Sequence, residues 1–511
     1  MRLLSLYIGQ YKSLESFSYD FREYTTGGVD IDGIDPLCFV GLNGSGKSNI
    51  IEALSEIFCF LDLVCLDYGE TPKWAAQSPF TFRLDYSLKI NKKGHKVSVE
   101  AVKGNPPFLV VDDAEESISL PDEMVNWLPK RVLGYSSGHN ETISFPYLRN
   151  QGFYADEITK SALVGEGKTF VPHTKTLLMD YESNVLILLA NFLFCPPAKK
   201  KIFQEHLRIK DVSSFRLVID FSRKRGVDIK RTLEIEETIE KLKAVALIHE
   251  QVSQSRLVLD FIVGSATRKA FKSYFKGGVD FYTRLYKLSL LNALQLSGAE
   301  RDFYTKKPKV DALLEKPPAV PKQDKTFAVD QLKLVLSKPN REIDYVGISD
   351  GEHQFIHIIG SAMLFEEDNC LFLFDEPESH FNPSWRAKFI DILSTVVGNR
   401  AQDFVISTHS PYVVSACYSR NVVKFQRDGE NIKYGSPTRE TFGGTFERLL
   451  KDLFGLSSSI AEHSSNRLAE VIESGDLEAM ELVAAEYAES PEKRKLYEIM
   501  LRLEEQSGDS E

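Results

Sequence analysis

No apolar run in this 511-residue chain reaches the roughly 18 residues needed to span a bilayer, and the longest, such as residues 185–194, is far shorter. The opening residues pass directly into Tyr11-Lys12-Ser13 with no signal-peptide core or small-residue cleavage site, so a cytoplasmic protein without a membrane partner is expected. There is no Cys-x-x-Cys pair. The six cysteines, at 38, 59, 65, 195, 370 and 417, mostly sit in apolar runs and read as free buried thiols, not as a metal site. An excess of positive charge is also missing. A formal net charge of −11 argues against a chain that coats nucleic acid wholesale, and leaves room only for a local basic patch. Finally, no heptad run is long enough for an antiparallel coiled-coil arm, so the helical middle of the chain is expected to be compact. No internal repeat is present.

What is there suffices for a large folded core: 43% of residues are hydrophobic, over a length that fits two or three domains. Residues 1–60 read as strand, turn, strand, glycine-rich loop and helix. Residues 81–103 alternate as strands do (Phe82, Leu84, Tyr86, Leu88) around a turn at 91–94, and another short strand ends at Val132-Leu-Gly-Tyr135. From about 175 to 300 the pattern is mainly helical (183–194, the charge-laced 231–251, and 281–293), with strand-like islands at 216–220 and 256–263. A Lys- and Pro-rich stretch, 305–326, reads as a linker. Strand and helix signals then alternate to about 425, before an acidic helical tail. The expected division is 1–174, a helical insertion 175–326, a second half 327–438, and a tail 439–511.

Gly41-Leu-Asn-Gly-Ser-Gly-Lys-Ser48 matches the phosphate-binding loop G-x-x-x-x-G-K-[ST] at every fixed position. Apolar residues 37–40 precede it, and Ile50, Ile51, Leu54, Ile57 and Phe58 place one apolar face on the helix that follows. Gly41, Asn43, Gly44, Ser45 and Gly46 would wrap phosphates with backbone N–H groups, and Asn49 continues the helix start. Lys47 would reach the β- and γ-phosphates of ATP, and Ser48 would take a place on Mg²⁺. Leu371-Phe-Leu-Phe-Asp-Glu376 is a buried strand ending in two carboxylates. Asp375 suits the Walker B role of holding Mg²⁺, and Glu376 suits the base that polarises the attacking water. Ser407-Thr-His409-Ser-Pro411 follows another apolar strand, 404–406, and His409 fits a γ-phosphate sensor.

Ile348-Ser-Asp-Gly-Glu-His-Gln354 opens an apolar helix ahead of Asp375. It resembles the ABC signature Leu-Ser-Gly-Gly-Glu/Gln, with Asp350 in place of the first glycine. The resemblance implies that Ser349, Gly351 and Glu352 face the γ-phosphate held by another protomer, in an ATP sandwich of two heads. The fold it implies is α/β: an ABC-type ATPase head, a mixed sheet around a P-loop core, with a compact helical insertion and a helical C-terminal tail.

The order and wording of the motifs resemble the RecF, SMC and OLD-related branch of ABC ATPases. Residues 5–17 resemble that branch's first strand, and Asp375-Glu-Pro-Glu-Ser-His-Phe-Asn-Pro383 resembles its Asp-Glu-Pro-Glu-x-His-x-x-Pro stretch. Within the branch the chain looks most like stand-alone ATPases of bacterial anti-phage loci, such as PtuA of Septu and the retron-linked and restriction-system-associated ATPases. The compact insertion, Tyr135-Ser-Ser-Gly138, and Glu440-Thr-Phe-Gly443 with the apolar positions of 449–456 carry that likeness. It implies a homodimer or higher homo-oligomer working with a separately encoded nuclease, often of HNH type.

Other readings compete. A transporter ATPase would share all four motifs but not the long insertion. A self-contained nuclease of OLD type needs a Toprim domain, for which the chain after His409 is expected to be too short, so no nuclease centre of its own is expected. A RecF-like DNA-repair head that binds DNA directly is the main alternative. For it, basic clusters at 199–201, 223–231 and 268–276 are candidate contacts. The Q-loop residue is open between Gln77 and His139-Asn140.

Overall fold

The computed structural model describes every residue except 23–33, 67–75, 138–140, 164–170, 173, 224–227, 306–317, 430, 457–459 and 509–511. At its centre, seven strands run in the order β17-β16-β3-β15-β14-β7-β8. They are β3 (Leu37–Gly41), β7 (Arg131–Ser136), β8 (Thr176–Leu178), β14 (Cys370–Asp375), β15 (Asp403–Thr408), β16 (Val422–Asp428) and β17 (Asn431–Gly435). All neighbours are parallel except β16 and β17. Parallel strands are covered on both faces, which is why these segments read as unbroken apolar runs. Every residue of β14 and β15 is buried. Alternation then sorts them: Leu371, Leu373 and Val405 join one core, while Phe372, Phe374, Phe404 and Ile406 join the other.

The first core lies under α1 (Lys47–Leu66) and an antiparallel sheet of order β2-β1-β4-β5-β6. Its strands are β1 (Arg2–Tyr11), β2 (Leu14–Asp20), β4 (Phe82–Ile90), β5 (Lys93–Ala101) and β6 (Phe108–Val111), followed by the short α2 (Pro121–Met124). The β4–β5 turn is made by Asn91 and Lys92, both left-handed (φ 50° and 66°), the mirror-type geometry that matches strand twist. The apolar stripe of α1 is buried as its spacing predicts, but the opposite side is enclosed as well. There α3 (Glu141–Leu163) brings Arg149 to within 2.7 Å of Glu56, and Lys12 lies 2.5 Å from Glu52.

The second core is filled by α4 (Tyr181–Phe194), α5 (Pro197–Leu207), α8 (Gly278–Leu290), α10 (Asp350–Leu364) and α11 (Pro383–Val397). Around them, the insertion is mainly helical, as its sequence reads, and its strand-like islands are joined into a sheet. Besides α6 (Leu233–Val245), α7 (Ser265–Tyr274) and α9 (Gly298–Thr305), it holds an antiparallel sheet of order β10-β11-β9-β12-β13. These strands are β9 (Ile209–Asp220), β10 (Ile248–Gln251), β11 (Arg256–Ile262), β12 (Phe327–Leu336) and β13 (Glu342–Asp344). The first strand island is longer than its apolar centre, the second falls where the sequence places it, and the end of the charge-laced segment is β10, not helix. Because β12 pairs with β9 along its length, the sheet crosses the boundary drawn at 326.

The tail also divides. After α12 (Pro411–Ser415), the carboxylate of Glu440 accepts from the backbone N–H groups of Ser419, Thr441 and Phe442. That anchors α13 (Phe446–Phe454), whose Leu449, Leu453 and Phe454 enter the second core. By contrast, α14 (Glu462–Ser474), α15 (Leu477–Glu486) and α16 (Pro491–Gly508) bury Leu468, Met480, Val483, Leu496 and Met500 in a cluster of their own. Gly475, left-handed, ends α14, and Asp476 caps α15 by accepting from Glu478 and Ala479 N–H. Among the described residues no helix is long and apolar enough to cross a membrane.

Candidate active site

The phosphate-binding loop joins β3 to α1 at the carboxyl end of the central sheet. Gly41, Gly44 and Gly46 have φ of 146°, 75° and 97°, a region that disfavours other residues. Two of them are also crowded, Gly41 by backbone and Gly46 by the tip of a side chain. A Cβ on Gly41 would lie 2.2 Å from the carbonyl of Phe425, and one on Gly46 would lie 2.5 Å from Cδ1 of Ile432. Lys47 folds back so that Nζ donates to the carbonyls of Gly41 (2.9 Å) and Leu42 (3.0 Å). Burial pushes its pKa down to about 8, against the opposing pull of Glu376 and Asp375. The hydroxyl of Ser45 is buried with no hydrogen-bond partner. Asn49 faces away from the loop, donating to Ser13 Oγ at 2.5 Å, and so ties α1 to the Tyr11-Lys12-Ser13 turn.

Beside the loop, Ser48 Oγ donates to Asp375 Oδ1 at 3.0 Å, and Ser407 Oγ donates to the same oxygen. Burial raises the Asp375 carboxyl above its usual range. Glu376 turns out of the strand in a left-handed conformation (φ 50°), uncommon for a residue with a Cβ and characteristic of strained functional positions. Its N–H donates to Ser407 O (3.1 Å) and Ser407 Oγ (3.2 Å). His409 Nε2 stands 3.2 Å from Glu376 Oε1, and that contact holds the Glu376 carboxyl below its ordinary value. Lys47, Ser48, Asp375, Glu376 and His409, distant in sequence, thus converge.

Ser349 is elsewhere. It caps α10 in a reciprocal box: Glu352 accepts from Ser349 N (2.8 Å) and Oγ (2.9 Å), and Ser349 Oγ accepts from Glu352 N (3.4 Å). Ser349, Asp350, Gly351 and Glu352 line a cavity with Arg208, His380 and Trp385 that no P-loop residue reaches. Gly351 is needed sterically, since its Cβ would lie 2.7 Å from His380 O. Deeper in α10, burial pushes His357 down to about 4, with Nε2 2.5 Å from Asp180 O.

Three functional side chains escape sequence reasoning. Ser407 donates to the Asp375 carboxylate and accepts from the Glu376 backbone N–H, Gln354 holds the turn after Glu376, and Glu378 lies buried under that turn. Each sits inside a stretch that the sequence singles out, Ser407 two residues before His409, Glu378 in the Asp-Glu-Pro-Glu run and Gln354 at the end of the signature stretch, but nothing local states its contacts. Of the Q-loop candidates, Gln77 is exposed ahead of β4, and His139 and Asn140 lie outside the described residues, as does Gly138. The strand before them, β7, pairs with β14, and Ser137 N donates to Asp375 O at 3.1 Å.

The donor set fits a nucleoside triphosphate with a hard divalent cation. The orphaned Ser45 hydroxyl and the parked Lys47 both belong to the loop, and Ser48 and Asp375 offer adjacent oxygens of the kind Mg²⁺ takes.

Residues 193–415 match a family model described as "AAA domain, putative AbiEii toxin, Type IV TA system". That span holds Ser349, Asp375, Glu376 and His409 and leaves the P-loop outside it. The chain is similar to the Septu protein PtuA of Bacillus thuringiensis, with 26% identity over 180 residues, 31% of this chain and 44% of that protein. It is also similar to protein ea59 of Escherichia phage lambda, 34% identical over 87 residues, 17% of each chain. The chain thus spans less than half the length of these relatives. Solved structures it resembles include an SMC head domain from Thermotoga maritima (TM-score 0.33, 11% identity, 85% of this chain and 99% of that one). Another is an SmcHead bound to the C-winged helix domain of ScpA (TM-score 0.36, 10% identity, 88% of this chain and 100% of that one).

Proposed function

We propose that this chain, an ABC-type ATPase of the RecF, SMC and OLD-related branch, hydrolyses ATP between two copies of itself and so controls a separately encoded nuclease in bacterial anti-phage defence. The observation that carries the chemistry is the Glu376–His409 contact, set beside the shared Ser48–Asp375 oxygen at the mouth of the P-loop. Mg²⁺, when bound, supplies charge neutralisation to the terminal phosphates, and Ser48 and Asp375 would hold it. Lys47 leaves the carbonyls of Gly41 and Leu42 for the phosphates. Glu376, kept ionised by His409, accepts the proton of the attacking water. Ser407, bonded to both acidic residues, fixes the angle between them. Because the Ser349 helix lines a separate cavity, a second copy is needed to bring its signature to the γ-phosphate. Similarity to the Septu protein PtuA supports the defence role, and the branch resemblance supports a nuclease partner of HNH type.

The test has two arms. Glu376→Gln should bind ATP normally and hydrolyse it roughly 10²-fold more slowly, the scale of a lost general base. Lys47→Ala should fail earlier, at nucleotide binding. Near-normal turnover in the Gln variant removes Glu376 from its role. A nuclease encoded beside the gene should co-purify with the chain and respond to ATP, and failure to do so refutes the regulatory role.

One observation favours direct DNA contact, as in a RecF-like head. Lys200 on α5 lies close enough to Arg268 and Lys272 on α7 that, after burial, their charge lowers its pKa. A DNA affinity that falls steeply with salt would support that reading.

A further inference from the structure

Between the two halves of the site sits a carboxyl that the chemistry above does not use. Glu378 is 4% exposed. Its Oε1 accepts from Thr408 Oγ1, and its Oε2 is buried with no hydrogen-bond partner. The groups facing it are Glu376 on its own loop, Arg386 on α11, Cys38 on β3, Tyr135 on β7 and Thr408 on β15. Arg386 is occupied elsewhere: its guanidinium donates to the backbone carbonyls of Glu378 (3.2 Å) and Ser379 (2.8 Å). An anion at Glu378 would therefore be buried with only the Thr408 hydroxyl and its own backbone N–H to meet it and another carboxylate nearby, an arrangement that costs more than these contacts return. Burial accordingly pushes the Glu378 carboxyl up to about 7.

The position is strategic. Thr408 immediately precedes His409, and its Oγ1 also accepts from Ser410 N at 2.9 Å. On the other side, the chain runs straight into Ser379 and His380, which Gln354 holds from the signature helix.

We propose that Glu378 works as a neutral carboxylic acid, and that in this form it is the positioning residue that joins the strand carrying His409 to the turn beneath the signature helix. The proposal rests on the ATPase reading. Ionisation places a second buried negative charge beside Glu376, and the turn must open toward water to relieve it, which carries Thr408 with it and lets His409 move off Glu376. A triphosphate on the Lys47 side adds negative charge and favours the neutral form further.

The experiment follows kcat at saturating ATP against pH for the wild type, Glu378→Gln and Glu378→Ala. Saturation matters because bound phosphates keep Lys47 charged and remove its own titration. Wild-type kcat should fall as pH rises through about 7 to 8, and the Gln variant should stay within about threefold of wild type near pH 6.5 while lacking that fall. The Ala variant should lose roughly tenfold throughout while still binding ATP. Thermal unfolding reads protonation independently of turnover. The folded carboxyl is raised above its unfolded value of about 4.3, so its stabilisation is complete below that pH and is lost as pH rises through about 7. The Tm of Glu378→Gln should therefore pull ahead of wild type over that window and then stay level. An unchanged alkaline fall in the Gln variant, a Tm gap that ignores pH, or a folded but inactive Gln variant would each overturn the proposal. If the wild type hydrolyses no ATP, the ATPase reading falls instead, and the Tm series still decides the state of Glu378.

Discussion

The backbone N–H of His380 donates to Oε1 of Gln354 over 2.9 Å, while Nε2 of the same side chain donates to Ser379 Oγ at 3.1 Å. Gln354 is buried in α10, and Ser379 and His380 belong to the turn that follows Glu376. One amide thus couples the signature helix to the end of the catalytic strand, so that a movement of α10 is felt at the carboxylates.

Removing that amide should weaken turnover more than binding. Gln354→Ala leaves the His380 N–H and the Ser379 hydroxyl without partners, which costs about 1–3 kcal/mol of stability. We expect kcat to fall about tenfold with KM within about threefold, because the lost contact orders the turn and touches no nucleotide. Denaturant unfolding and steady-state kinetics check both, and an unaltered kcat would show that the turn holds its shape unaided.

The sandwich can be tested by mixing two dead variants. Ser349→Arg spoils the signature surface and leaves its own P-loop intact, whereas Lys47→Ala does the reverse. A mixed pair contains one composite site with both parts sound, so combining the proteins should restore about a quarter to a half of wild-type turnover per mixed dimer. No rescue at any ratio would mean that each head hydrolyses alone.

ATP affinity should depend on pH through Lys47. With burial holding its free-state pKa near about 8 and phosphates stabilising the charged form, the ATP-bound state takes up a proton above that pH. The Kd should be flat below pH 8 and weaken by up to about tenfold per unit above it, as linkage requires. Lys47→Arg, permanently charged, should bind without that slope. Equilibrium binding with a non-hydrolysable analogue measures both, and parallel slopes would rule Lys47 out as the cause.

Ending the chain after Leu456 removes α14, α15 and α16 with their private cluster and leaves α13 in place. The shortened protein should keep its unfolding midpoint within a few degrees and bind ATP as before, while losing higher assembly or nuclease capture. If it is insoluble, the three helices stabilise the head. If it still assembles, docking lies elsewhere, and the insertion is the next place to cut.

The parts legible in the sequence are those whose chemistry is local. A P-loop is eight consecutive residues, Asp375 and Glu376 are adjacent, and Ser349 caps the helix that its own neighbours form. What stayed hidden depends on distant segments meeting. The pairing of β9 with β12 joins residues more than a hundred positions apart, and each strand alone resembles an interruption between helices. Gln354 reads as one polar residue in an apolar helix until Ser379 and His380 arrive beside it. Glu378 reads as part of a motif, but its burial comes from β3, β7, β15 and α11 together. The stripe on α13 looks like those on the helices after it, because nothing in an amphipathic pattern states which surface will cover it. For α13 that surface is the ATPase core, and for the others it is each other.

The crowding around Gly41 and Gly46 has a practical consequence for anyone choosing an inactive control. A methyl group at either site collides with the β16–β17 hairpin, with Phe425 O in one case and Ile432 in the other, before any nucleotide is present. An alanine at Gly41 would push against the hairpin backbone, and one at Gly46 would displace the tip of Ile432 and strain a positive φ, so a phenotype in cells would not distinguish a missing ligand from a damaged loop. Lys47 is the cleaner choice, because its side chain only rests on two loop carbonyls and shortening it leaves the positive-φ glycines and the hairpin in place.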